Sequence, residues 1–224
     1  MSGYYREKLA GERLKRCYDI AGPRIRQYLK AEIDFVTDHI RPGSRVLELG
    51  CGCGRILPEL SKKAGMVVGI DNAAESIHFG SENLRQYQNC LLAVMDAVNL
   101  GFGNRVFDYV VCIQNGISAF HVNQEVLIRE SIRVTKPGGK IFFSTYADKF
   151  WPYRLEWFER QAEEGLVGEI DHKKTGKGII VCKDGFTATT VDGEGYFRLT
   201  SGLKIEAEIE EIDGSSLFCL ITAR

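Results

Sequence analysis

The chain has no run of apolar residues long enough to cross a bilayer. Its opening residues, Met1-Ser2-Gly3-Tyr4-Tyr5-Arg6-Glu7, lack the apolar core of a secretion signal, so a cytoplasmic protein is expected. The seven cysteines (Cys17, Cys51, Cys53, Cys90, Cys112, Cys182, Cys219) are odd in number and scattered, mostly within apolar strand patterns. That describes reduced, buried thiols and not a disulfide framework. Cys51 and Cys53 stand at C-x-C spacing, but no further cysteine pair supplies the other ligands of a tetrahedral site. No metal is expected, and the two read as small turn residues. Neither sign of charge is in excess: 29 Lys+Arg against 30 Asp+Glu leave a formal net charge of −1. That balance points away from nucleic acid as the main partner. Internal repeats, low-complexity segments and separate linkers are also missing. The 224 residues suit one α/β domain of ordinary size with an insertion.

What the chain does have is one organising stretch, residues 45–55, Arg-Val-Leu-Glu-Leu-Gly-Cys-Gly-Cys-Gly-Arg. Val46, Leu47 and Leu49 read as a buried parallel strand interrupted by one carboxylate, Glu48. Gly50, Gly52 and Gly54 then let the backbone turn sharply and lie against a ligand with no Cβ in the way. Beyond them Ile56, Leu57, Leu60 and Ala64 fall on one side of a helix of roughly 55–64. Strand, glycine turn and helix form the nucleotide-binding entry of a doubly wound α/β sheet. The spacing is G-x-G-x-G. The dinucleotide fingerprint G-x-G-x-x-G would need glycine where Arg55 stands, which disfavours NAD. A glycine turn with no ligand is the bland alternative.

Residues 48–54, Glu-Leu-Gly-Cys-Gly-Cys-Gly, resemble the first motif of the class I S-adenosylmethionine-dependent methyltransferases. The resemblance implies that Gly50, Cys51, Gly52 and Gly54 pass under the methionine part of that cofactor. It places Glu48 near the amino group and sulfonium. Met66–Asp71 reads as a second buried strand ending in an acid. Asp71 lies about 20 residues past the turn, where such sheets bring an acid to a ribose. A carboxylate there can accept both ribose hydroxyl protons. It can also cap the helix expected over 73–85, and the two roles are compatible. Asp71, with Asn72 beside it, matches the second family motif. A third strand, Cys90–Met95, precedes Asp96 and Ala97. In the family such an acid reads the adenine amino group and the next amide a ring nitrogen. Asp96 reads equally as a turn residue.

Phe107–Ile113 is the expected fourth strand. Gln114-Asn115-Gly116-Ile117-Ser118 follows at its carboxyl end, where ligands bind, and the resemblance puts Gln114 on the methionine side. This loop is not the N-P-P-aromatic tetrapeptide of the base and glutamine amino methyltransferases, which argues against exocyclic base amines. A helix over 122–135 should run into Pro137-Gly138-Gly139 and a fifth strand, again a family pattern. The resemblance covers residues 44–145.

After it come Tyr146, Phe150, Trp151, Tyr153, Trp157 and Phe158, either pocket lining or the core of an insertion. Strand-like segments at Gly178–Cys182, Phe186–Val191 and Tyr196–Thr200 are separated by Asp184-Gly185 and Asp192-Gly193, both hairpin signals. Leu203–Ile212 alternates as a half-buried strand and Leu217–Thr222 as a buried one, together a closing hairpin. Residues 1–40 read as helices broken at Gly22-Pro23. The second has Ile25, Tyr28, Leu29, Ile33, Val36 and Ile40 on one face. By analogy with the family, Tyr4, Tyr5 and Tyr18 are placed to close the site. The first thirty residues are basic, through Arg6, Lys8, Arg13, Lys15, Arg16, Arg24, Arg26 and Lys30, which reads as a solvated face or as an acidic-substrate or tRNA surface.

The expectation is one methyltransferase domain over 1–224, built on a seven-stranded, mostly parallel Rossmann-like sheet. It divides into N-terminal helices (1–43), a cofactor core (44–145), an α+β insertion after strand five (146–202) and an antiparallel hairpin (203–224). The cofactor implied is S-adenosylmethionine, the product S-adenosylhomocysteine, and the acceptor a small molecule methylated by in-line displacement. A non-catalytic cofactor-binding or regulatory protein, a tRNA or protein methyltransferase, and an aminopropyl transferase are the alternatives. His121 and Tyr146 are the candidate acid–base residues, with His172 behind them. No membrane partner is expected. The sequence leaves the oligomeric state open, a homodimer among the options.

Overall fold

The computed structural model describes residues 3–224. Three helices come first: α1 (Tyr4–Glu7), α2 (Gly11–Asp19) and α3 (Pro23–His39). The break at Gly22-Pro23 is real, and Pro23 starts α3 at the position where a missing N–H costs nothing. The core follows as β1 (Arg45–Leu49), α4 (Leu57–Ser61), β2 (Met66–Asp71), α5 (Ala74–Asn83), β3 (Cys90–Val94), β4 (Phe107–Cys112), α6 (Gly116–Ala119), α7 (Gln124–Val134) and β5 (Thr135–Tyr146). The insertion holds α8 (Trp151–Glu163), a two-residue hairpin of β6 (Ile180–Val181) and β7 (Thr187–Ala188), and α9 (Gly193–Thr200). β8 (Glu206–Ile212) and β9 (Ser216–Thr222) close the chain.

The main sheet has seven strands in the order β3-β2-β1-β4-β5-β9-β8. β1 pairs in parallel with β2 on one side and β4 on the other, and β9 runs antiparallel between β5 and β8. This is the expected architecture, and its strand-order reversal beside β1 is where such sheets open a ligand crevice. Successive residues of each strand face opposite layers. Leu47, Leu49, Val110 and Phe143 pack with α7 and α9, while Val46, Val67, Val111 and Phe142 pack with α3, α4 and α5. With both faces covered, the central strands read as continuous apolar runs.

Four local expectations are corrected. Tyr196–Thr200 is not a strand but the end of α9. Asp192-Gly193 is not a hairpin turn but the start of that helix: the Asp192 side chain accepts from Gly195 N at 2.7 Å and caps it. Pro137-Gly138-Gly139 does not launch β5, which already pairs at Thr135↔Phe107. The glycines form a bulge, after which Lys140 pairs with Tyr109. Finally, β8 has no buried face, since Ile209 is 43% exposed. Its alternating acids instead charge an edge strand against further pairing.

Candidate functional site

A cavity of about 830 Å³ opens at the carboxyl ends of β1, β2 and β4. Its floor is the glycine turn. Gly50, Gly52 and Gly54 have φ of +68°, +54° and +72°, the left-handed region that favours glycine. The turn is tied to β2, because Cys51 N donates to the Ile70 carbonyl at 2.9 Å and Gly52 N to Asp71 Oδ2 at 2.9 Å. The other oxygen of Asp71 accepts from Ala73 N at 2.8 Å, at the start of α5. Asp71 therefore joins strand, turn and helix while lining the cavity. Burial pushes its carboxyl up from the usual range, and the backbone N–H donors pull it back.

Glu48 lines the same floor and is 7% exposed. Its Oε2 has no hydrogen-bond partner in the protein. Burial raises its carboxyl to about 8; nearby Arg55 lowers it and Asp71 raises it further. Arg55 does not pair with Glu48. It donates to Gln114 Oε1 at 2.5 Å and lies over the Tyr18 ring, 4.4 Å from its centroid.

Gln114 itself is held in a left-handed conformation, φ +57°. Its N–H is received by Glu32 Oε2 and Ser144 Oγ, both at 2.8 Å. Asn115, at φ +65°, is fixed by Thr145 Oγ1, which donates to its Oδ1 at 2.8 Å. Two adjacent non-glycine residues in this conformation cost energy, and the buried bonds over-determine it. Glu32 is fully buried on α3, and burial lifts its carboxyl to about 7.

The third strand contributes Asp96 and Ala97 to the wall. Asp96 Oδ1 accepts from Val98 N at 3.0 Å, the turn role. Asn72 is also on the wall. The roof comes mostly from outside the core. Tyr5, Leu14 and Tyr18 descend from α1 and α2, and Tyr146, Trp157 and Phe158 from β5 and α8. Tyr4 turns away: its hydroxyl donates to Asp184 Oδ2 at 2.7 Å and its ring packs on Phe186.

The catalytic candidates separate. Tyr146 lines the cavity, its phenol pushed up by burial with Arg154 opposing. The cavity wall is made by Phe120 and Val122 but not by His121 between them, which sits at φ +52°. His172 is exposed on the loop after Ile170, away from the cavity. Cys51 and Cys53 are free thiols in the turn, and no metal-ligating cluster exists among the described residues. The insertion's aromatics divide: Trp157 and Phe158 reach the cavity, whereas Phe150 is buried against Tyr28 and Tyr146.

Two residues escaped sequence reasoning. Phe120 covers the turn so closely that a Cβ on Gly50 would fall 2.3 Å from its ring. Glu32 did leave a signal: it stands one helical turn after Tyr28 on the buried face of α3, a carboxylate among apolar neighbours.

The polar set along the strand ends consists of carboxylates, Glu48, Asp71 and Asp96, with an unpartnered buried oxygen on the first. In their ionised form these groups only accept, so the set suits a ligand bearing an ammonium, hydroxyls and an amino group better than one bearing phosphates. S-adenosylmethionine has those donors, and the residues present fit it.

Residues 46–139 match a family model described as a methyltransferase domain. A 2-methyl-6-phytyl-1,4-hydroquinone methyltransferase of Synechocystis sp. is 31% identical over 162 residues, 67% of this chain and 50% of that protein. A demethylmenaquinone methyltransferase of Staphylococcus haemolyticus is 35% identical over 107 residues, 46% of this chain and 44% of that protein. The chain thus spans half or less of the length of these curated relatives. Among solved structures, the PH0226 protein of Pyrococcus horikoshii OT3 superposes over 100% of both chains with a TM-score of 0.69 at 21% identity, a likeness of fold.

Proposed function

We propose that this chain, whose residues 46–139 match a methyltransferase domain, is a class I methyltransferase that binds S-adenosylmethionine in the glycine-floored cavity and methylates a small molecule. The observation that carries the proposal is the buried, unpartnered oxygen of Glu48 beside the glycine turn. An uncompensated buried carboxylate is costly, and a cationic ligand group offsets that cost. In this reading Glu48 meets the cofactor's ammonium end, Asp71 and Asn72 its ribose, and Asp96 and Ala97 its adenine. Gln114 faces the methionine side. Relatives named as quinone-type, phosphoethanolamine and arsenite methyltransferases support a small acceptor.

The cofactor supplies an electrophilic methyl group on a positively charged sulfonium. The protein's part is to hold an acceptor in line with it in a dry space. Positioning of that kind is worth up to roughly 7–11 kcal/mol in favourable cases. The left-handed Gln114-Asn115 segment, fixed by Glu32, Ser144 and Thr145, gives the loop a single conformation for this task. Trp157 and Phe158 exclude water from above. Tyr146, with its raised phenol, is protonated at neutral pH and serves as a hydrogen-bond donor rather than a base.

The test is a turnover screen with labelled S-adenosylmethionine against small-metabolite, tRNA and protein fractions. Label should appear in the small-metabolite fraction. Label only in tRNA or protein would overturn the acceptor class, and no labelled product from any fraction would favour a binding protein. With an acceptor found, Tyr146→Phe should lower kcat at unchanged S-adenosylhomocysteine affinity.

A further inference from the structure

We propose that the acceptor carries a carboxylate, and that this group docks against Arg154 in a second cavity behind Tyr146. The inference deepens the proposed methyl transfer and rests on it for the word acceptor; the anion site itself stands on separate observations.

Arg154 is among the largest fully buried side chains of the protein, 1% exposed. It makes no ion pair among the described residues. Its Nη1 donates to the Gly178 carbonyl at 2.7 Å and its Nη2 to the carbonyls of Ala188 at 3.0 Å and Thr189 at 3.4 Å. A guanidinium carries five N–H groups. Nε, buried, has no acceptor, and Nη1 retains a second N–H beyond the one given to Gly178. Aromatic rings surround it: Tyr146 at 4.7 Å, Trp151 and Phe158 at 5.8 Å. Carbonyl dipoles and ring faces soften the burial of a cation, but they do not neutralise it. The free Nε–H and the remaining Nη1 N–H lie on different edges of the guanidinium, so each offers a charge-assisted hydrogen bond to a carboxylate oxygen.

The residue borders a cavity of about 1050 Å³ that lies beside the cofactor cavity. Tyr146 alone among the described residues lines both. An acceptor seated here would thus have its anion at Arg154 and its reacting end at Tyr146, on the cofactor side. Trp151 and Leu199 offer apolar surface, and Thr189 and Thr190 offer hydroxyls. Acids line it too, Asp192, which caps α9, Glu125 and Asp148, alongside the cations Lys177 and Arg198, the latter paired with Glu194. Arg154 is the charged group of this cavity that is both buried and unpaired.

The probe is benzoate, compared with benzamide, its neutral isostere, by calorimetry and by amide chemical-shift mapping on the full chain, with and without S-adenosylhomocysteine. Benzoate should bind at least tenfold more tightly than benzamide and shift the amides of Gly178, Thr189 and Thr190. Arg154→Met should abolish the preference, and Arg154→Lys should keep part of it. Equal binding of the two probes, no benzoate binding at millimolar concentration, or shifts confined to the glycine turn would each overturn the proposal. If Arg154→Met fails to fold, the wild-type comparison and Arg154→Lys still decide it. Benzoate selectivity without S-adenosylhomocysteine binding would leave the anion site standing and sink the methyl-transfer reading. The converse result would do the reverse.

Discussion

At the scale of single residues, two buried acids set the chemistry. Glu48 and Glu32 have carboxyls raised from 4.5 to about 8 and about 7. The folded chain therefore holds protons that the unfolded chain releases above about pH 4.5. Stability should fall as pH rises from there to about 8 and then level off. Glu48→Gln should flatten that decline, read as Tm against pH. In the proposed binding mode the same proton opposes the cofactor, whose ammonium would need an ionised Glu48. S-adenosylhomocysteine affinity should therefore weaken as pH drops from 8 to 6, with proton release on binding. In Glu48→Gln the pH dependence should vanish and affinity at pH 8 should fall by about tenfold or more, since hydrogen bonds to charged groups contribute about 1.5–3 kcal/mol. Asp71→Asn should likewise weaken binding; unchanged affinity would remove its ribose role. Glu48, Asp71 and the glycines were legible in the sequence because their spacing is local. Phe120 was not, because its contact with Gly50 is made only when α6 folds back over the turn.

At the scale of elements, the approach of α5 to the turn depends on one glycine. A Cβ at Gly80 would lie 2.6 Å from the Cys53 carbonyl, a backbone atom that cannot step aside. Gly80→Ala should cost about 1–3 kcal/mol in denaturant unfolding and weaken cofactor binding, despite alanine's better helix propensity. Asp192→Ala should cost about 1 kcal/mol through its lost cap. The core strands and helices were readable because apolar period and glycine position agree there. The insertion was not. Asp-Gly followed by aromatic residues suits a hairpin as well as a capped helix, and what decides for α9 is tertiary: Tyr196 is fully buried in the layer that includes α7, and Leu199 packs against the same layer. The edge strand β8 alternates as a half-buried strand would, but its residues stay exposed, Ile209 among them.

At the scale of the whole molecule, the sheet and the glycine turn provide the floor, and the N-terminal helices and insertion provide the roof. The two roof pieces are bound to each other. Arg16 pairs with Glu164 at 2.7 Å, and Arg13 donates to the Gly165 carbonyl at 2.7 Å. The Trp157 indole N–H donates to the Cys17 carbonyl at 2.9 Å. α2 is fastened to the floor as well, through Gly11 N and Ser76 Oγ at 3.0 Å. Several of the basic side chains near the N-terminus thus serve this closure. The sequence showed that helices precede the core but not what they cover, because those bonds span from 65 to 152 residues. We propose that this carboxylate-lined cavity is an S-adenosylmethionine site. That assignment is tested most directly by calorimetric titration at pH 7 with S-adenosylhomocysteine and, separately, NADH, in two buffers of different ionisation enthalpy. One S-adenosylhomocysteine per chain should bind with release of a proton from Glu48, and NADH should give no heat. Binding of NADH with none of S-adenosylhomocysteine would contradict the assignment.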